Sequence, residues 1–169
     1  MKELKEYILT EDNFFKNLGI GKRHLIEEWI ELYKRYIIHP SINDDLTIDA
    51  TYVDLSKYPD EELPEYIQFG TIKNFYIIKC PKLKTLKGCP QKCTGVFNCS
   101  ECPNLISLEG APEECEVFNC SKCKNLMSLE YLPKKCDDYI CYGCGGKFTR
   151  EDIVRKYGIT KYKSIRTLK

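Results

Sequence analysis

The sequence predicts an α+β fold in which a short solenoid of about four coils, residues 47–146, lies between an N-terminal helical cap, 1–46, and a C-terminal helix cap, 147–169. Three observations predict it. Two stretches superpose almost letter for letter: Val96-Phe97-Asn98-Cys99-Ser100-Glu101-Cys102, on through Leu105, Leu108, Pro112 and Cys115, and Val117-Phe118-Asn119-Cys120-Ser121-Lys122-Cys123, on through Leu126, Leu129, Pro133 and Cys136. Phe97, Phe118 and Tyr139 recur at one constant interval, and a weaker unit one period upstream places Phe75, Ile77, Cys80, Leu83, Leu86, Pro90 and Cys93 in the same columns. A period in the twenties is the mark of a coil that buries its apolar face only against its neighbours. The flanks carry helical patterns instead of the repeat.

Residues 1–40 read as helices. Thr10 suits an N-cap before Phe14, Phe15 and Leu18, with Gly19 as a stop. Leu25, Trp29, Leu32, Tyr33 and Tyr36 then recur at helical spacing, Glu31 and Arg35 fall one turn apart, and Pro40 ends the helix. So rich a stripe is expected to dock on the first coil, whose apolar face needs a cover. Between 41 and 56, Leu46, Ile48, Tyr52, Val53 and Leu55 are strand-like, with the repeat columns entering at Val53. Tyr58-Pro59-Asp60-Glu61-Glu62 reads as a loop. After Cys144-Gly145-Gly146, Thr149 is an N-cap for a helix through Ile153, Val154 and Tyr157, Gly158 its stop, and Ile165 and Leu168 suit a last strand.

Apolar content of 43% and charged content of 30% indicate a folded chain. No apolar run approaches the ~20 residues that span a bilayer, and the charged opening Met1-Lys2-Glu3-Leu4-Lys5-Glu6 lacks a signal-peptide core. No membrane contact and a cytoplasmic location are expected. The net charge of +1 conceals an asymmetry: residues 1–70 hold 8 Lys/Arg against 15 Asp/Glu, and 71–169 hold 18 against 10.

The unit Cys115-x-x-Phe118-x-Cys120-x-x-Cys123-x-x-Leu126-x-x-Leu129 resembles the leucine-rich repeat segment in its cysteine-containing form. Phe-x-Cys-Ser and Leu-x-Ser-Leu-Glu-Gly-x-Pro are closer still to short leucine-rich repeat proteins of bacteriophages. Those have an N-terminal helical segment, an Asn-Asp-Asp-Leu strand like Asn43 to Leu46, and a closing Phe-Thr helix like Phe148-Thr149. The resemblance covers most of the chain. It implies a leucine-rich-repeat solenoid, phage-encoded and acting in host cytoplasm, and names no activity.

Eleven cysteines admit disulfides, a metal site or packing. Cys99-x-x-Cys102 followed by Cys120-x-x-Cys123 matches a zinc pattern. The gap between the two pairs is also what the repeat period dictates. Ten of the eleven fall in three repeat columns, 93/115/136, 99/120/141 and 80/102/123/144, with only Cys89 outside. Reduced thiols packed as small hydrophobes, with no metal or other cofactor, are therefore expected. Where the strand turns, the last column is placed to satisfy backbone groups the turn leaves unpaired.

Catalysis by Cys needs a basic partner, and the only histidines, His24 and His39, lie in the N-terminal part. Asp44, Asp45 and Asp49 read as a polar strand edge. Neither a phosphate-binding loop nor a nucleophile elbow is present, and the chain is expected not to be an enzyme. The outward strand residues are the candidate partner-binding set: Tyr52, Asp54, Tyr76, Ile78, Asn98, Ser100, Asn119, Ser121, Ile140 and Tyr142. Aromatic residues there suit a protein interface, and the expected partner is a host bacterial protein, by analogy a defence or regulatory factor. The alternative is nucleic-acid binding through Lys147, Arg150, Arg155, Lys156, Lys161, Lys163 and Arg166 with Tyr157 and Tyr162; the acidic stretch 1–70 counts against it.

Overall fold

A repeat whose apolar residues recur at one phase forms parallel strands that stack in register, and the computed structural model, which describes residues 21–159 and 161–167, is built that way. Its elements run in order: α1 (Lys22–Leu32), β1 (Ile37–Ile38), β2 (Ser41–Ile42), β3 (Ile48–Asp54), β4 (Phe69–Tyr76), β5 (Lys92–Cys93), β6 (Val96–Asn98), β7 (Glu114–Asn119), β8 (Lys135–Ile140), α2 (Arg150–Tyr157) and β9 (Ser164–Arg166). The strands make one nine-stranded sheet. From β3 to β9 every pairing is parallel, while β1 and β2 pair antiparallel with β3. The result is an α+β chain with a β-solenoid of about four turns.

The register reproduces the sequence columns. Val53 pairs with Phe75, Phe75 with Phe97, Phe97 with Phe118, Phe118 with Tyr139 and Tyr139 with Ile165. All but Ile165 are fully buried. Stacking equal side chains at the strand spacing of ~4.8 Å puts the rings nearly parallel. Phe75 and Phe97 lie 5.4 Å apart at 12°, and Phe97 and Phe118 5.5 Å apart at 7°. Tyr139 prolongs the stack and keeps its hydroxyl satisfied by donating to the Pro133 carbonyl at 2.7 Å. Leucines 83, 105 and 126, and 86, 108 and 129, wall the opposite side of the same core. Cys93 to Phe97 carries an extra residue relative to Cys115 to Phe118, so β5 and β6 are separated by a bulge. There Asn74 Oδ1 accepts the Val96 N–H at 3.0 Å.

Each coil leaves its strand through a residue in the left-handed region: Lys57, Lys79, Glu101, Lys122 and Gly143, with φ between 58° and 69°. Gly143, which with Gly145 and Gly146 reads in sequence as the chain leaving the solenoid, instead continues the repeat by one more turn. Lys79 and Lys122 each approach Glu101 at 3.9 Å along this row.

At the N-terminal side the helix is shorter than the periodicity implies. It stops at Leu32, Tyr33 closing it by donating to the Trp29 and Ile30 carbonyls, both at 3.1 Å. Ile37 and Ile38, expected inside the helix, form β1, because β-branched Ile37 buries its side chain opposite Val53 there. Glu31 consequently pairs with Lys34 and not with Arg35. Leu46, expected in a strand, lies with φ 65° in the turn joining β2 to β3, where Leu46 donates to the Asn43 carbonyl at 3.0 Å. Ile26 and Trp29 are buried, Trp29 edge-on to Phe69 at 6.1 Å. The Thr10 cap and the Phe14, Phe15, Leu18 pattern lie outside the described residues, as does Leu168.

The other end follows its sequence signals. Thr149 caps α2 reciprocally with Asp152, Gly158 ends it in the left-handed region, and Ile153 is buried. Tyr157 Oη accepts the Leu129 N–H at 3.2 Å and Lys134 Nζ donates to the Tyr157 carbonyl at 2.8 Å, tying the helix to the last coil. Among the described residues no helix is long and apolar enough to cross a membrane.

Candidate functional site

Because strand side chains alternate, every second residue of β3 to β9 points away from the core, and the parallel register gathers these into rows. One row is Ile38, Tyr52, Asn74, Val96, Val117, Asp138 and Ser164. The next is Asp54, Tyr76, Asn98, Asn119, Ile140 and Arg166, and Tyr36 extends it because Asp54 donates its N–H to the Tyr36 carbonyl at 2.8 Å. A third, Ser56, Ile78, Ser100, Ser121 and Tyr142, is joined by hydrogen bonds from the left-handed residue of one coil to the carbonyl of the next. Seven strands at ~4.8 Å span ~29 Å.

The candidate residues Tyr52, Asp54, Tyr76, Ile78, Asn98, Asn119, Ile140 and Tyr142 thus share one face, partly or well exposed. Ser100 and Ser121 do not present themselves to it: they are 5% and 3% exposed. The reason is local. Asn98 Oδ1 accepts the Ser100 N–H at 3.0 Å, and Asn119 Oδ1 accepts both the N–H and hydroxyl of Ser121, at 3.0 and 2.7 Å. These Asx turns fold each serine under its asparagine. Asn-Cys-Ser is a readable signal for that turn. Tyr36 and Ile38, 52% and 46% exposed, are face residues that helical periodicity hides.

The face is uneven. At its N-terminal end Tyr52 and Tyr76 lie 5.2 Å apart, and burial, then the Asp54 carboxylate, push the Tyr52 hydroxyl above its ordinary range. Beside them a depression of about 460 Å³ is lined by Leu32, Tyr33, Tyr36, Asp54 and Tyr58, among others. The middle is amide and valine. The far end carries Asp138, Ile140, Tyr142 and Arg166.

The basic residues of the C-terminal segment are largely engaged within the chain. Arg150 lies over the Tyr162 ring at 5.1 Å and donates to its hydroxyl at 3.0 Å. Lys156 lies over Tyr157, Arg155 pairs with Asp152 at 3.8 Å and Lys163 with Asp137 at 2.6 Å. Arg166 alone of the set stands in a row of the sheet face.

All eleven cysteines are free thiols, and only Cys144 is more than marginally exposed. The column at the strand turn works as a ladder. Cys80, Cys102, Cys123 and Cys144 donate to the carbonyls of Leu55, Ile77, Cys99 and Cys120 in the preceding coil, at 3.5, 3.2, 3.3 and 3.1 Å. Cys99, in contrast, donates to the Asn119 carbonyl at 3.5 Å. The zinc candidates Cys99, Cys102, Cys120 and Cys123 are therefore not aimed at a common point. Among the described residues no group of three or more His, Cys, Asp or Glu is placed to hold a metal ion. Burial raises the thiols of Cys89 and Cys99, Cys93 to about 11 and Cys123 to about 12. Cys115 and Cys136, 3.5 Å apart, floor a depression of about 800 Å³ whose walls include Glu114 and Lys135, themselves paired at 3.6 Å. Both histidines are surface groups: His24 lies 3.4 Å from Glu28, and His39 Nδ1 lies 3.1 Å from Thr51 Oγ1. Asp45 is absorbed by Thr47 in the hairpin turn, and Asp49 accepts the Thr71 N–H.

No family, curated protein or solved structure matches the chain.

Proposed function

We propose that the chain is a non-catalytic protein-recognition module of the leucine-rich-repeat type, phage-encoded, that binds a host bacterial protein in the cytoplasm through its outward sheet face. In this reading α1 and α2 serve as caps that cover the first and last coils. One observation carries it: a single continuous face of seven strands displays Tyr36, Ile38, Tyr52, Tyr76, Ile78, Ile140 and Tyr142 around an amide centre. Tyrosines supply large rigid contact area with a polar tip, and interface hot spots are enriched in them. The thiols tied to carbonyls pack the coils and are not nucleophiles in this reading.

The test is affinity capture from a bacterial lysate, comparing the native chain with Tyr76→Ala/Tyr142→Ala. A discrete protein retained by the native chain and lost with the double variant is the expected result. Capture of nucleic acid alone, or of a protein retained undiminished by the variant, sinks the reading.

A further inference from the structure

We propose that the N-terminal end of the sheet face is a receptor for one arginine side chain on an extended segment of the partner protein, with Asp54 as counter-ion and Tyr36, Tyr52 and Tyr76 as walls. This rests on the reading of the face as the binding surface, and names what binds there.

Asp54 lies between Tyr36 on one neighbouring strand and Tyr76 on the other, with Tyr52 two residues earlier on the same side of β3. A carboxylate thus has an aromatic ring on three sides. Asp54 Oδ1 accepts the Ser56 N–H at 2.9 Å in a turn, and the Tyr52 hydroxyl donates to the same carboxylate. That turn requires only an oxygen: Asn98 and Asn119 perform it with neutral amides two and three coils along the same row. The turn does not need the charge on Asp54.

Among the described residues the charge also has no ion-pair partner. Glu61, Glu109, Glu114 and Asp137 each have a lysine, at 2.8, 3.2, 3.6 and 2.6 Å. Among the described residues no Lys, Arg or His forms an ion pair with Asp54, although Lys57 lines the adjoining depression. The surroundings add to the same sign, since residues 21–70 hold 5 Lys/Arg against 11 Asp/Glu.

A guanidinium satisfies this arrangement on both counts. Its plane stacks on tyrosine faces, and its fork of N–H donors meets a carboxylate in a geometry that an ammonium does not reproduce. The shape of the face selects an extended carrier. Its ~29 Å width matches about eight residues of extended chain at ~3.4 Å each, and the Asn74, Asn98 and Asn119 amides lie along the path such a segment takes from Asp54 toward Ile140.

The test uses the whole chain with tyrosine rings labelled for NMR, titrated with acetyl-Gly-Arg-Gly-amide and with the same peptide carrying citrulline, the neutral isostere of arginine. Saturable shifts of the Tyr52 and Tyr76 rings with the arginine peptide are expected, at least ~10-fold weaker with citrulline and with Asp54→Asn. The isostere needs no variant to fold, and asparagine retains the turn. Equal response to both peptides, no saturable response, or full response in Asp54→Asn overturns the proposal. So does a concentration-dependent shift of the same rings without peptide, which would make a second copy the occupant. In lysate capture, loss with Tyr76→Ala/Tyr142→Ala but not with Asp54→Asn refutes the arginine receptor and spares the face. Retention with both variants sinks the two together.

Discussion

Raising the pH toward 10 under reducing conditions should unfold the chain, because its core holds thiols that the unfolded chain would ionise. Cys89, Cys93, Cys99 and Cys123 are raised first of all by burial, Cys93 to about 11 and Cys123 to about 12. Below the ordinary thiol range, near 9, both states are protonated and these groups leave stability unchanged. Above it the unfolded chain releases protons that the folded chain retains. It then binds fewer protons, so stability falls as pH rises, up to the folded values. Each such thiol removes ~1.4 kcal/mol per pH unit, and four remove ~5–6, which is comparable to the whole stability of an ordinary domain. Tyr58 and Tyr139, also raised by burial, extend the loss above pH 10. Urea melts followed by far-ultraviolet circular dichroism, from pH 7.5 to 10 with a phosphine reductant, measure the slope directly. Cys89→Ala should lessen it by one thiol's share, ~1.4 kcal/mol per pH unit; alanine already occupies the equivalent place at Ala111. Stability that stays flat from pH 8 to 10 would show that the buried thiols do not retain their protons in the folded chain.

Three substitutions probe the coil geometry in the same urea assay at neutral pH. Phe97→Ala removes the middle ring of the stack, with neighbours at 5.4 and 5.5 Å, and should cost ~4 kcal/mol. Gly110→Ala places a Cβ 2.3 Å from the Leu86 carbonyl oxygen at φ +92°, for a loss of ~3 kcal/mol. Tyr131 occupies the column of Gly88 and Gly110 with φ 66° and is 52% exposed. Tyr131→Gly should therefore stabilise by ~0.5–1 kcal/mol, the relief of the left-handed backbone exceeding the entropy glycine loses.

The rows of the face were legible because a fixed period converts sequence columns into spatial ones. Once Phe97, Phe118 and Tyr139 share a phase, the outward residues two positions apart must align whatever their identities. Hence the placing of Asp54, Tyr76, Asn98, Asn119 and Ile140 in one row follows from the spacing alone. Where the period stops, so does that inference. Ile37 and Ile38 satisfy a helical stripe as well as a strand, and only the long-range partner Val53 decides between them. Ser100 and Ser121 fail for another reason, because strand alternation takes no account of a side chain that bends the backbone beyond the strand. The thiol ladder is the sort of backbone satisfaction that a cysteine at a turn suggests, and its donors reach the preceding coil, which a single unit cannot reveal.

The central claim, that the outward sheet face is what a protein partner grips, is tested most directly by position-specific photo-crosslinking in a bacterial host extract. A photoreactive phenylalanine analogue is placed at Tyr76 or Asn98 on the face, and at Ile106 or Met127, exposed residues away from it. One covalent adduct with the same host protein is expected from both face positions, and none from Ile106 or Met127. Adducts formed from Ile106 or Met127, with the face positions silent, would contradict the claim.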